Sequence, residues 1–404
     1  MNILYIAYSC LPDSGSENKI GWNIPIESSK SNNVFVVTKE EHREAIEAYL
    51  KKHLIQNIRF FFVDIPNVYK RVFKGVTYSI RLNFWHRRAF PIVKSICEKE
   101  NIDIIHQITP VEFRSIGNYA DIENTKFVCG PLGGGEFLPR GLRSYAKGNM
   151  SIEYARAIMN KLYSIKYKFN KKLVKCDYIL FANKETSEYL SDLVRDVSYN
   201  VYSEIGISED DIIKTPHTNN RFTILVAGRL VYRKGHSFLL DALKKLPKDV
   251  DYMCRFVGQG SKKDYLETKV KKLGLEDKVV FVGRIPFEDM SKEYEKADVF
   301  VMPSLRETTG SVLLESMSKS IPVITINKFG GAILLDENSG WFYSGNARED
   351  YVNGLCDAIL ECMSDVCEVQ RRGDNAKEIA KKYLWSKKVE YYNSIYNQLL
   401  QDKN

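Results

Sequence analysis

No apolar run in this chain reaches the roughly 18 residues that a membrane-crossing helix needs, and no basic segment precedes the first strand-like run. Neither a transmembrane span nor a secretory signal is therefore expected. The eight cysteines include no CxxC pair, and the six histidines show no ligand-like spacing, which argues against a disulfide framework or a zinc site. Cys129, Cys176 and Cys254 sit inside apolar runs, the usage of reduced, small hydrophobes in a cytoplasmic chain. Internal repeats and low-complexity tracts are also missing. So is a G-x-G-x-x-G after the first strand with an acid about 20 residues on, which excludes a dinucleotide-dependent oxidoreductase. Between Tyr69 and Lys94 there is no acidic residue at all.

What the chain does have is length and rhythm. Its 404 residues, 44% hydrophobic, suffice for two cores. Strand-like runs fall at 2–8, 33–38, 57–63, 103–106, 126–129 and 177–182, then at 222–227, 251–257, 279–282, 298–302 and 321–326, with helical stretches between them. That alternation predicts an α/β fold of two parallel sheets covered by helices. The polar segment 203–220 marks the domain junction.

Two constellations carry chemistry. In Arg306-Glu307-Thr308-Thr309-Gly310-Ser311-Val312-Leu313-Leu314-Glu315, two carboxylates stand eight residues apart around a small-residue turn. The apolar run before it, the N-cap character of Ser311 and the helical spacing of Leu313, Leu314 and Met317 make the turn a strand-to-helix loop. Ligands of open α/β sheets bind at such loops, where the N–H groups of Thr309, Gly310 and Ser311 can meet a phosphate and carboxylates can accept sugar hydroxyls. An acidic first helical turn with no ligand would look the same. The second constellation, Gly228-Arg229 followed by Lys234-Gly235, again comes directly after a strand-like run. Arg229 can fork two diphosphate oxygens and Lys234 can add a point charge, the requirements for holding a nucleoside diphosphate and stabilising it as it leaves.

With these segments the chain resembles the family 4 retaining glycosyltransferases, the group 1 glycosyl transferases of GT-B fold. The resemblance rests on Gly228/Arg229…Lys234/Gly235, on Val257-Gly258-Gln259-Gly260 and on Glu307…Glu315, and it covers most of the C-terminal half. It extends to Val282-Gly283-Arg284-Ile285-Pro286, where the family lays the donor base, and to Gly330-Gly331, which in the family faces the donor phosphates. After Gly331 the family often has a proline and an acid, whereas this chain reads Ala332-Ile333-Leu334-Leu335. In the N-terminal half, the loop Ser9 to Trp22 is similar to the family's Gly-Ser-Glu…Gly-Trp loop, with Gly15 in it and Gly21 opening a helix. His106 ends the run 103–105 where the family places a histidine near the donor sugar, and Gly133 and Gly134 follow another strand-like run as a phosphate or acceptor loop. His42, His53, His86, His217 and His236 have no motif around them and read as packing or surface residues.

The resemblance implies two Rossmann-like domains facing across a cleft. Residues 1–200 would bind the acceptor and 201–382 the nucleotide sugar, while 383–404 would form a helix returning to the first domain. It implies Glu315 on the ribose, Glu307 on the sugar hydroxyls, and Arg229 with Lys234 on the leaving diphosphate, with His106 nearby. The expected activity is transfer of a sugar, with retention, from a nucleoside-diphosphate sugar of UDP or GDP type to a hydroxyl of a surface glycan or lipid-linked acceptor. Nucleotide-sugar epimerisation on the same fold and a non-catalytic membrane scaffold are the alternatives. No cofactor is expected. No metal is expected either, because Asp249-Val250-Asp251, which matches an Asp-x-Asp metal motif, follows Pro247-Lys248 and reads as a helix-to-strand turn.

Charge is uneven. Residues 1–200 hold 29 basic and 21 acidic side chains, and so carry the whole net charge of +8. Lys70, Arg71, Lys74, Arg81, Arg87, Arg88 and Lys94 are interleaved with Phe73, Tyr78, Phe84, Trp85 and Phe90, and Arg156 to Lys175 forms a second basic run. A basic, aromatic stretch suits an anionic membrane surface on the cytoplasmic side. No nucleic-acid recognition motif accompanies it.

Overall fold

The computed structural model describes residues 1–15, 17–213, 221–286 and 289–401. Its two compact units are Met1–Glu136 with Tyr154–Gly206 and Trp385–Asn404, and Phe137–Glu153 with Ile207–Leu384.

Unit 1 contains seven parallel strands, β1 (Asn2–Ala7), β2 (Asn33–Lys39), β3 (Ile58–Val63), β4 (Ile104–Thr109), β5 (Lys126–Leu132), β6 (Tyr178–Phe181) and β7 (Tyr199–Val201). Their order is β3-β2-β1-β4-β5-β6-β7. Ile3, Leu4, Tyr5, Ile6 and Ala7 are all fully buried, as expected of a central parallel strand whose two faces are both covered by helices. Unit 2 repeats the plan with β8 (Phe222–Ala227), β9 (Tyr252–Val257), β10 (Val279–Gly283), β11 (Val299–Met302), β12 (Val323–Ile326) and β13 (Gly340–Tyr343), in the order β10-β9-β8-β11-β12-β13. Both sheets are doubly wound. The strand order reverses between β1 and β4 in unit 1 and between β8 and β11 in unit 2, so the crevice for a ligand lies at the carboxyl ends of those pairs.

The segment Phe137–Glu153 clusters with unit 2 although it lies within residues 1–200. Leu138, Leu142 and Ala146 insert into that unit's core, which explains the assignment. The helix Trp385–Gln401 belongs to unit 1, where Trp385, Val389, Tyr392 and Tyr396 join the cluster under β1. Its Lys388 is fully buried, donates to the Ser203 carbonyl at 2.5 Å, and lies over the Tyr202 ring.

Burial, opposed by Glu204, pushes the Lys388 amine down from its ordinary 10.5 to about 7. A lysine depressed in the folded state binds its proton less tightly than in the unfolded chain. The stability it leaves intact above about pH 10.5 is therefore lost progressively as the pH falls to about 7, and is constant below that. Urea midpoints should rise between pH 7 and 10, with a slope of up to about 1.4 kcal/mol per pH unit, and Lys388→Met should flatten the rise. Equal slopes in parent and variant would contradict the assignment.

The basic stretch 69–94 is less aromatic at its surface than its sequence suggests. It forms the short helix Asn67–Val72 and the helix Tyr78–Glu100. Trp85 is fully buried and donates to the Val63 carbonyl at 3.1 Å, while Phe73 stacks on Phe84 and Tyr69 packs against it at a tilt. Lys70 is tied to Asp64 and Glu41, and Arg81 is only partly exposed. Trp85 thus packs inward, Tyr69, Phe73, Tyr78, Phe84 and Phe90 stay half-buried, and Arg71, Lys74, Arg87, Arg88 and Lys94 are exposed, Arg87 over the Phe84 ring.

Candidate active site

The carboxyl ends of β8 and β11, the switch point of unit 2, bring the two constellations together. Lys234 Nζ pairs with Glu307 Oε2, Arg233 Nη1 lies 3.4 Å from both Glu307 oxygens, and Ser304 Oγ is 3.5 Å away. Burial would raise the Glu307 carboxyl, but the two cations outweigh it and hold its pKa below the ordinary value. The site is thus preformed with an ionised carboxylate between two fixed positive charges. Arg229 is exposed and forms no side-chain hydrogen bond or ion pair among the described residues, which leaves its fork available. Its neighbour Arg233 has no place in the sequence reading.

The backbone explains why these loops are rigid. Arg233 O accepts from the N–H groups of Leu305 and Arg306, joining the loop after β8 to the loop after β11. Gly235 has φ +71°, and a Cβ there would stand 1.8 Å from the Pro303 carbonyl oxygen, so only glycine permits this approach. Gly258 comes equally close to Gly228, where a Cβ would lie 2.0 Å from its carbonyl oxygen. Leu230 N–H donates to Gln259 O and Gly228 N–H to Val257 O, so the Val257 to Gly260 turn props the segment that carries Arg229.

The helix Ser311–Ser318 starts one residue earlier than Ser311 as an N-cap would require. Its N-cap is Gly310, at φ +94°, which supplies no side-chain cap and leaves the helix start suited to an anion. Thr309 is fully buried, with Gly330 packed so closely that a Cβ there would fall 2.2 Å from the Thr309 carbonyl oxygen. Glu315, one turn into the helix, accepts from the Tyr294 hydroxyl at 3.1 Å. Arg284 is exposed and Ile285 half-buried at the end of β10, two strands from β8 and so roughly 10 Å across the sheet. Asp249 and Asp251 lie at the opposite, amino edge, just before β9, where Asp251 accepts from Arg221 at 2.6 Å.

In unit 1 the placements differ from the sequence expectations. β4 runs on to Thr109, so His106 lies in mid-strand and not at its end. It is fully buried, with Nδ1 2.5 Å from the Tyr396 hydroxyl and Nε2 2.7 Å from the Gly130 carbonyl. A carbonyl can only accept, so Nε2 carries the proton and Nδ1 accepts; burial pushes the pKa down to about 3, and the ring is neutral and fully engaged. Gly21 does not open its helix, which runs Glu17–Ser28; it is buried one turn in, where a Cβ would meet Ser9 O at 1.9 Å. Gly15 is exposed, with open space around it, and Ser16 lies outside the described residues, as does His217. Gly134 N–H is taken by Glu136 Oε2 at 2.8 Å, and its carbonyl by Arg156 and Asn160, so it offers no free donor, while Gly133 O accepts from Phe113.

At the switch point of unit 1 stands a carboxylate that the sequence did not single out. Glu17 accepts from Val111 N–H at 3.0 Å, after β4, and from Ser9 Oγ at 3.4 Å, after β1. Burial raises its pKa, with the Val111 N–H opposing. Its position directly at the helix start was the available signal.

A doubly wound pair of sheets with cations and carboxylates on the second switch point defines the GT-B glycosyltransferases. Residues 208–379, most of unit 2, match the family of glycosyl transferases group 1, and the fold of the chain is GT-B. Along 344 residues it is 26% identical to an uncharacterized glycosyltransferase of Methanocaldococcus jannaschii, covering 83% of this chain and 84% of that one. Its fold is similar to that of the sucrose-phosphate synthase of Thermosynechococcus elongatus, with a TM-score of 0.69 over 99% of both chains at 19% identity. It is also similar to Anabaena HepE in complex with UDP, with a TM-score of 0.61 over 98% of this chain and 100% of that one at 16% identity. No helix among the described residues is long and apolar enough to cross a membrane.

Proposed function

We propose that this glycosyltransferase moves a sugar, with retention, from a nucleoside-diphosphate sugar bound by unit 2 to a hydroxyl of a surface-glycan or lipid-linked acceptor bound by unit 1. The observation that carries the reading is the Lys234–Glu307–Arg233 cluster beside the exposed Arg229, unpaired among the described residues, at one switch point. Arg229 and Lys234 neutralise the departing diphosphate, and the start of the helix at Ser311 receives a phosphate. Glu307 accepts donor-sugar hydroxyls, while Glu315 holds the ribose, with Gly228, Thr309 and Gly310 shaping the floor and Arg284 with Ile285 meeting the base. A UDP-type donor is the working choice, in keeping with the UDP held by HepE. A donor-phosphate oxygen takes the acceptor proton, and Glu17 accepts from an acceptor hydroxyl at the other switch point. The protein works in the cytoplasm, at the inner face of the membrane.

The diphosphate is neutralised by fixed cations, so turnover needs no divalent metal. Excess EDTA should leave the rate unchanged; loss of activity restored by Mg2+ or Mn2+ would overturn this part of the reading. Release of nucleoside diphosphate from a panel of UDP-, GDP- and ADP-sugars, followed by mass, tests the activity itself.

A further inference from the structure

The helix Met150–Asn170 is polarised the wrong way round for a helix of a water-facing surface. Its Arg156 and Asn160 are buried, and with them Tyr163 and Tyr167, while Tyr154, Ile158, Leu162, Ile165 and Phe169 are exposed, Phe169 to 84%. With 3.6 residues per turn those five side chains fall within an arc of roughly 80° and extend about 22 Å along the axis. Isolated exposed apolar residues need no explanation, but a continuous stripe on one face does. Lys161, Lys166 and Lys168 flank it, and no acid occurs from Tyr154 to Cys176.

The buried face is fully used. Arg156 donates to the carbonyls of Glu136 and Gly134, each at 2.6 Å, and to Glu136 Oε1 at 3.0 Å, while Asn160 donates to Gly134 at 2.9 Å. These bonds fix the helix to the loop after β5, at the ligand end of the unit 1 sheet. The neighbouring helix Tyr78–Glu100 touches it through Asn83, which donates to the Tyr163 hydroxyl at 3.3 Å, and its exposed Arg87 and Arg88 add to the same positive surface. Lys166 is pushed down by burial and then by Arg87, which places the two basic runs side by side.

We infer that the Tyr154–Phe169 face lies in the plane of an anionic lipid bilayer, its apolar stripe in the boundary of the acyl chains and its lysines on the headgroup phosphates. This deepens the proposed function, on which it rests for its purpose: it would hold the loop at Gly134 and Glu136 against the surface from which a lipid-linked acceptor emerges. Charge selects the occupant. An apolar stripe between lysine rows is the pattern of an interfacial helix, whereas a second copy of the same face would bring like charges together. In the 69–94 stretch Trp85 is buried and the other rings are half-buried, so the five exposed side chains of this helix supply the larger apolar contact.

The test is co-sedimentation of the full chain with vesicles of phosphatidylcholine alone and of equimolar phosphatidylcholine and phosphatidylglycerol, alongside donor hydrolysis in free solution. The parent should bind the mixed vesicles and bind the neutral ones poorly. Ile158→Ser/Leu162→Ser/Phe169→Ser should lower partitioning by about a hundredfold, and Lys161→Gln/Lys168→Gln should remove the preference for phosphatidylglycerol. All these side chains are exposed, so folding and donor hydrolysis should equal the parent's. Equal binding by the triple variant would overturn the inference, as would a parent dimer that the same substitutions dissociate. Stripe-dependent vesicle binding with no turnover of any donor would uphold the docking face and remove only the catalytic reading.

Discussion

Lys234→Ala and Arg229→Ala should each lower turnover by about a hundredfold or more, and they should part company in stability. Both side chains stand at the switch point of unit 2, where a nucleoside diphosphate would carry developing charge as the sugar leaves. Removing one preorganised charge stabiliser typically costs two to three orders of magnitude. Arg229 is exposed and unpaired among the described residues, so its loss should leave the melting temperature unchanged. Lys234 is paired with the largely buried Glu307 and should melt earlier when replaced. Steady-state rates and thermal midpoints on the same preparations check both statements, and normal turnover in a folded Arg229→Ala/Lys234→Ala protein would remove the leaving-group role.

The second large effect is thermodynamic. Lys234→Met should destabilise unit 2 by about 2–3 kcal/mol, because the Glu307 carboxylate would then keep only Arg233 at 3.4 Å, too long for a strong charge-assisted bond. Glu307→Leu should cost a similar amount by stranding Lys234. The double variant should be less destabilised than the sum of the singles, since neither charge is then left buried alone. Acid should act like the Glu307 substitution. The folded carboxyl is held below its ordinary value, so its contribution is present above about pH 4.5 and is lost as the pH falls through the depressed value. Urea unfolding of the four proteins gives the coupling energy directly; additive single effects would mean that Lys234 and Glu307 do not depend on each other.

The fold was legible because its signals are long-range in composition and short-range in pattern. Eleven mostly apolar strand-like runs alternating with helical stretches imply parallel sheets, and the eleven correspond to β1–β6 and β8–β12. The strands β7 and β13 escaped. One has three residues and is mostly exposed, and the other opens on a glycine, a residue depleted in strands. Residues 137–153 escaped for a different reason: membership of a compact unit depends on where Leu138 and Leu142 find partners, which no local pattern encodes.

The site was legible where it rests on glycine. Gly235 and Gly258 are required by backbone approaches within unit 2 and Gly228 by its φ of +142°, so their spacing marks the loops in advance. What could not be read was which cation meets which anion. Arg233 and Lys234 are adjacent in sequence and equal in charge, and only the fold turns both toward Glu307. His106 shows the opposite failure. A histidine near a strand end looks available, but the partner that binds its Nδ1, Tyr396, is 290 residues away in the last helix. The apolar stripe of the helix Met150–Asn170 went unread for the same reason, since sequence gives the period of a helix but not the face that meets the sheet.

The most direct measurement is nucleotide release. The purified chain is incubated with UDP-, GDP- and ADP-sugars in turn, and the free nucleoside diphosphate is followed by mass, beside the Arg229→Ala protein. A donor site at the second switch point predicts release from at least one of these sugars, about a hundredfold slower in the variant. Release from none of them, or release at the same rate without Arg229, would contradict it.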